Sequence, residues 1–185
     1  MKKTLLLAGV ACLFSVSAQA QDYMSEVRPY IGLDYAYDKA DFKKDAKDLK
    51  DGFNSGIINV GSRMGDYFGL EAFYQLSDER KTKFEDYNLS AKFQAYGLDA
   101  YGYLPLGCEK KFDLLASLGA AVYDMKLKGP DAKLTQKRVG YRAGIGAQYN
   151  FTENFAARIM GRYNYVGTAH LNNFNEVTAG VRYTF

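Results

Sequence analysis

The sequence predicts an all-β fold, an eight-stranded antiparallel up-and-down transmembrane β-barrel, on three observations. The final residues, NEVTAGVRYTF (175–185), alternate without a break. Val177, Ala179, Val181, Tyr183 and Phe185 fall on one face, and Glu176, Thr178, Gly180, Arg182 and Thr184 on the other. Side chains along a strand have period two, so this is one apolar and one polar face. Seven further segments alternate in the same way, most of them about ten residues long, which is what a tilted barrel strand needs to cross the hydrocarbon layer. The connections between them are short and long in turn, the asymmetry of a barrel with tight turns on one rim and loops on the other. A bare apolar face on a terminal strand is an aggregation hazard in water. In a closed barrel surrounded by lipid it is the closing strand.

The first segment, 28–37, puts Ile31, Leu33, Tyr35 and Tyr37 out over Gly32, Asp34 and Ala36. The second, 56–64, puts Ile58, Val60 and Met64 out, with Asn59, Gly61 and Arg63 in. The third, 67–76, sets Phe68, Leu70, Ala72, Tyr74 and Leu76 against Gly69, Glu71, Phe73 and Gln75. The fourth, 87–104, is less regular, with Tyr96, Leu98, Ala100 and Leu104 out and Asp99 in. The fifth, 112–123, points Leu114, Ala116, Leu118, Ala120 and Val122 outward. The sixth, 138–149, has Val139, Tyr141, Ala143, Ile145, Ala147 and Tyr149 out over Arg142, Gly144, Gly146 and Gln148. The seventh, 155–165, has Ala157, Ile159, Tyr163 and Tyr165 out over Arg158, Met160, Arg162 and Asn164. Gly65-Asp66, 105–111 and 150–154 read as tight turns rich in turn formers. The stretches 38–55, 77–86, 124–137 and 167–174 read as longer polar loops.

Residues 1–20 carry Lys2 and Lys3, an apolar run over 5–16 and Ala18-Gln19-Ala20, the three parts of a secretory signal peptide cut after Ala20. The run is too short for a membrane anchor and no basic stop-transfer flank follows. Cys12 after Val10-Ala11 does not make a lipoprotein signal, because Gly9 occupies the position that wants Leu. Residues 21–185 are then the barrel domain. Loss of the two lysines turns 24 basic residues into 22 against 21 acidic, a formal charge of about +1, which argues against binding nucleic acid by phosphate neutralisation. Cys108 is the one cysteine left, so neither an intrachain disulfide nor a cysteine metal cluster is expected. No cofactor is expected.

The inward positions carry six cations and five anions: Arg63, Arg138, Arg142, Arg158, Arg162 and Arg182 with Asp34, Glu71, Asp99, Asp113 and Glu176. They could line a selective channel. An eight-stranded barrel, however, has room for little besides its own side chains, and buried charges must pair, so a paired polar plug is the expectation. The loop 38–55 holds Asp38, Asp41, Asp45, Asp48 and Asp51 with Lys39, Lys43, Lys44, Lys47 and Lys50. Its spacing lacks the Gly and terminal Glu of a calcium loop, so it reads as solvated charge. His170 is the single histidine; two residues on, where a lipid A deacylase needs a Ser, stands Asn172. Gly140, Gly144 and Gly146 do not form a dinucleotide motif and are expected to leave space for neighbouring tyrosines.

The signal peptide, the eight segments, FGLEAFYQL (68–76), YGYLPL (101–106), YNYVG (163–167) and the terminal AGVRYTF (179–185) together resemble the small bacterial outer-membrane β-barrel family. That family includes the OmpA-like transmembrane domain, opacity-type surface proteins and porin-like small barrels. The resemblance covers the mature chain but not a peptidoglycan-binding domain, so no wall-tethering role is carried over. It implies residence in the bacterial outer membrane as a monomer, among outer-membrane lipid and lipopolysaccharide, with a host or envelope surface ligand for the loops. It implies a contact between Glu71 on strand three and Arg158 or Arg162 on strand seven. It also implies that the outer-membrane assembly machinery reads Val181, Tyr183 and Phe185 on the closing strand. The functional expectation is a non-enzymatic barrel of structural or surface-interaction type. A narrow passive pore is the alternative, and a lipid-modifying enzyme is less well supported because no nucleophile–base pair is evident.

Overall fold

The computed structural model describes residues 27–42, 52–78, 80–84, 87–107, 109, 111–128, 133–166 and 171–185. The leader 1–20, most of the first charged loop, Cys108 and His170 lie outside them. Nine strands are formed: β1 (Val27–Phe42), β2 (Gly52–Met64), β3 (Phe68–Ser77), β4 (Arg80–Phe84), β5 (Tyr87–Leu106), β6 (Phe112–Lys128), β7 (Lys133–Asn150), β8 (Phe155–Tyr165) and β9 (Leu171–Thr184). Every neighbour is antiparallel. The order β3-β2-β1-β9-β8-β7-β6-β5-β4 closes through an additional β3–β5 pairing. β4 continues β3 against β5 after a one-residue offset. Leu76 faces Gln94 and Arg80 faces Ala91, four steps on one strand against three on the other. The wall therefore has eight strands.

The outside is apolar because the alternation puts it there. Leu98, Leu118 and Ile145 are 66%, 69% and 74% exposed, values that no water-facing surface would sustain over a contiguous band. Two aromatic rings bound that band. At the short-turn end Phe155, Tyr183 and Phe185 stack edge-on, with centroids 5.0 and 5.2 Å apart, beside the Tyr149–Phe151 pair. At the other end stand Tyr35, Tyr37, Tyr96, Tyr141, Tyr163 and Tyr165, all exposed. On β8 the two rings are separated by the 11-residue strand from Phe155 to Tyr165. At about 3.3 Å per residue and a tilt near 40°, this gives a band about 25 Å tall, the height of an outer-membrane barrel's apolar zone.

The turns at 65–67 and around Gly107 reverse tightly. Gly65 (φ 61°) and Gly107 (φ 77°) adopt the left-handed conformation that glycine tolerates without steric penalty. At the opposite rim the pairing runs further than the sequence pattern predicts. β1 and β2 stay paired to Lys39–Gly52, β5 and β6 to Ser90–Lys128, and β6 and β7 to Lys128–Lys133. Much of the expected loops at 38–55, 77–86 and 124–137 is thus hairpin. Ladder hydrogen bonds need no apolar-outward pattern, so the strands continue beyond the point where that pattern stops.

Ile145 lies four residues from Tyr149 and four from Tyr141, midway across the band. Ile145→Arg should destabilise the folded barrel in a bilayer by about 2–4 kcal/mol. Glu153→Arg, in the exposed 151–154 turn, should change stability by no more than about 0.5 kcal/mol. Urea unfolding in phospholipid vesicles measures both.

Candidate functional site

Among the described residues the lumen is where the fold concentrates chemistry, because eight inward faces converge on a narrow axis. At its centre Glu71 on β3 meets Arg158 on β8. Arg158 Nη2 donates to Glu71 Oε1 and Oε2 at 2.9 and 2.7 Å. The hydroxyls of Tyr30 and Tyr101 donate to the same carboxylate at 2.9 and 3.2 Å. Next to it Arg182 grips Asp34 through two parallel bonds of 2.7 Å, and Asn59 Nδ2 adds a third at 2.8 Å. The two pairs touch, since Arg158 lies 3.8 Å from Asp34 and Arg182 Nε 3.7 Å from Glu71.

A second cluster sits towards the long hairpins. Arg162 donates to Glu176 at 3.1 Å, to Thr178 at 2.9 Å and to the Tyr101 hydroxyl at 2.7 Å. Arg142 lies 3.1 Å from Asp99 and 3.7 Å from Glu176, with its guanidinium 4.0 Å from the Phe73 ring centroid. Gln75 Nε2 donates to Glu176 at 3.1 Å and to Asp38 at 3.2 Å. Tyr101 joins the two clusters, donating to one and accepting from the other. The eight charged residues of these clusters, Asp34, Glu71, Asp99, Arg142, Arg158, Arg162, Glu176 and Arg182, are each at most 4% exposed. Each lies within 4.0 Å of an opposite charge, Asp99 through its ion pair with Arg142 alone, and the bidentate guanidinium geometry is the strongest form of such pairing.

The interior is capped apolarly above and polar below. Ile57, Phe73, Tyr123, Val166 and Phe174 pack together towards the long hairpins. At the short-turn end Arg63 bridges Asp113 at 2.9 Å, Asn150 Nδ2 donates to Asp113 at 3.0 Å, and a cavity of about 820 Å³ opens between Arg28, Arg63, Tyr103 and Phe185. Arg138, read from the alternation as an inward charge, is exposed near the hairpin rim.

Sequence patterning missed the inward tyrosines. Tyr101 and Tyr103 share the parity of Asp99, and Tyr30 that of Asp34, so the same count would have found them. The glycine expectation needs correcting: of Gly140, Gly144 and Gly146, only Gly140 clears space for a tyrosine ring, Tyr123. Gly144 makes way for Arg162 and Gly146 for Met160. A methyl group at Gly180 would overlap the Asp34 carboxylate, so that strand approaches its neighbour's ion pair as only glycine can. Among the described residues no group of His, Cys, Asp and Glu is arranged to hold a metal ion.

The model of the outer membrane protein beta-barrel domain family matches residues 8–185. The chain belongs to that family. No curated protein is similar enough in sequence to match. Solved structures of similar shape include neisserial surface protein A, at 20% identity and a TM-score of 0.71 over 85% of this chain and 97% of that one. Another is the attachment invasion locus protein Ail of Yersinia pestis, at 18% identity and a TM-score of 0.62 over 87% and 100%. The N-terminal barrel of Pseudomonas aeruginosa OprF has 16% identity and a TM-score of 0.61 over 86% and 100%. At these identities the likeness is one of fold. The family and these neighbours locate the protein in the bacterial outer membrane.

In this outer-membrane barrel, removing only the Glu71 side chain leaves Arg158 without its closest counter-charge. Glu71→Ala should therefore lower stability by about 3–5 kcal/mol, read as an earlier urea midpoint in vesicles. An unchanged midpoint would mean that the pair contributes nothing.

Proposed function

We propose that this outer-membrane barrel is a non-enzymatic protein of structural or surface-interaction type, with its long hairpins outside the cell and its lumen closed to solutes. The observation that carries this reading is the filling of the middle of the lumen among the described residues: the Glu71–Arg158, Asp34–Arg182, Arg162–Glu176 and Arg142–Asp99 contacts lie between the short-turn cavity and an apolar layer. With the interior spent on holding the wall together, the surfaces left for partners are the rims. One structure of Ail is a complex with the heparin analogue sucrose octasulfate. By analogy, the hairpin rim is assigned here to a host or envelope surface ligand. Residues 1–20 serve in this reading as the export signal, and 21–185 work as a monomer.

The refolded protein in planar bilayers is expected to give no stepwise conductance. Regular steps at wild-type sequence would favour a narrow pore instead.

Val181, Tyr183 and Phe185 are proposed as the segment that the assembly machinery reads. β9 closes the wall by pairing with both β1 and β8; Val181 and Tyr183 lie on its outward face, and the exposed Phe185 follows it, its N–H donating to Pro29 O at 3.0 Å. Deleting Phe185 should reduce the folded yield in cells far more than deleting one residue of the 38–51 stretch. Heat-modifiability on gels and protease protection of intact cells make the comparison at matched expression. Equal yields would remove any assembly role for this residue.

A further inference from the structure

Asp38 stands apart from the other carboxyl groups of the lumen. The sequence pattern places it at the start of a solvated loop, yet it is 2% exposed, one residue beyond the ring tyrosine Tyr37 on β1. Asp34, Glu71, Asp99 and Glu176 each lie within 4.0 Å of one of four guanidinium groups, so those eight charges balance. Asp38 is a fifth buried carboxyl, for which the described residues provide no fifth cation. Its hydrogen-bond donors are neutral. Ser55 Oγ donates to Asp38 Oδ2, and Gln75 Nε2 donates to the same oxygen at 3.2 Å. A buried charge with no counter-charge is costly, whereas a neutral acid in the same place is not.

The residue opposite adds a second constraint. Asp38 faces Glu176 directly across the β1–β9 ladder, the seam that closes the barrel. Gln75 Nε2 bridges them, reaching Glu176 Oε2 at 3.1 Å, and the two carboxyl groups are themselves in hydrogen-bond contact. A carboxylate offers only acceptors, so two of them bond to one another only when one carries a proton. Gln75 Oε1, on the bridging amide, is buried without a donor, so this spot holds more acceptors than its donors satisfy. Among the described residues the other charged or titratable groups around the pair are Asp99 on β5, Tyr123 on β6, Arg142 on β7 and Arg162 on β8. Lys39, next to Asp38 in sequence, is exposed on the opposite face of β1. Arg162 and Arg142 lie 3.1 and 3.7 Å from Glu176, which makes Glu176 the charged member of the pair and Asp38 the proton carrier.

The geometry points to a proton-binding site: Asp38 and Glu176 hold one proton between them at neutral pH, and that proton seals the long-hairpin end of the β1–β9 seam. With it, the Asp38 carboxyl donates to the Glu176 carboxylate. Without it, two like charges face each other on the ladder and push the closing strands apart. Carboxyls of the unfolded chain lose their protons near about pH 4. A folded pair that keeps one above that range binds more protons than the unfolded chain does. Stability therefore falls from that range up to the pH at which the pair gives the proton up. The inference holds whether or not the lumen conducts, and whatever ligand the rim takes.

The test uses the full barrel refolded in phosphatidylcholine vesicles. Its infrared spectrum in heavy water at neutral pH should contain the carbonyl stretch of a protonated carboxylic acid, and Asp38→Asn should lose that band. The amide of the variant mimics the neutral acid and needs no proton, so its urea midpoint at neutral pH should be at least that of wild type. Between about pH 6 and pH 9, above the carboxyl range and below that of tyrosine and lysine, the wild-type midpoint should fall relative to that of Asp38→Asn. Replacing NaCl by choline chloride at equal ionic strength should alter neither protein. If Asp38→Asn does not fold, the wild-type band and its loss with rising pH decide. The same carboxylic band in both proteins, or in neither, overturns the proposal. So does a wild-type midpoint that runs parallel to that of the variant across the pH range. A midpoint that depends on Na⁺ in wild type but not in Asp38→Asn also overturns it, because the occupant would then be a metal cation.

Discussion

In hydrocarbon there is no water to take up an unpaired backbone N–H or C=O, and each one left open costs several kcal/mol. That constraint governs the rest of this molecule. It forces β9 to pair with β1 on one side and β8 on the other, over residues as distant in sequence as Tyr30 and Thr184. Closure at eight strands then sets the lumen's width, and the width leaves space for side chains and little else. An open edge would release every other feature described above.

The narrow lumen explains why the interior is ionic and yet ordered. Inward side chains cannot reach bulk water, so Asp34, Glu71, Asp99 and Glu176 are each met by a guanidinium, and hydroxyls of Tyr30, Tyr101 and Thr178 add hydrogen bonds to these groups. Such pairs contribute modest net stability compared with an apolar core, but removing one member is severe. Their value lies in specificity. A strand slipped by one residue would send these charges into lipid, so the pairs and the apolar band reject the same errors in register.

Above the band the solvent changes and the apolar-outward pattern ends. Within the membrane the outward positions of β6 are Leu114, Ala116, Leu118, Ala120 and Val122, and the strand continues beyond them to Lys128. The hydrogen-bond ladder runs through the change without a break. One strand therefore spans two environments, and its ladder continues the wall beyond the band.

Strand count, strand parity and the short–long alternation were legible in the sequence because each is local: a period of two, a length near ten, a cluster of turn formers. Segment 155–165 was delimited as the strand is. The upper ends of β1, β2, β6 and β7 were not, because the ladder pairing continues past the lipid, where the apolar-outward pattern that marks a strand stops. Parity likewise decides that Glu71, Arg158 and Arg162 point inward, but not which arginine lies beside Glu71. That depends on the stagger between strands that meet only across the lumen, where Arg158 stands level with Glu71 while Arg162, one step of four residues along β8, reaches Glu176 and Tyr101. The one-residue offset between β3 and β4 against β5 left no mark in the sequence either. The sequence by itself determined which side of the wall each residue in the membrane band takes, since alternation is a property of a single strand. Only the tertiary structure decided which residues share a height around the barrel, because height is fixed by closure of the whole sheet.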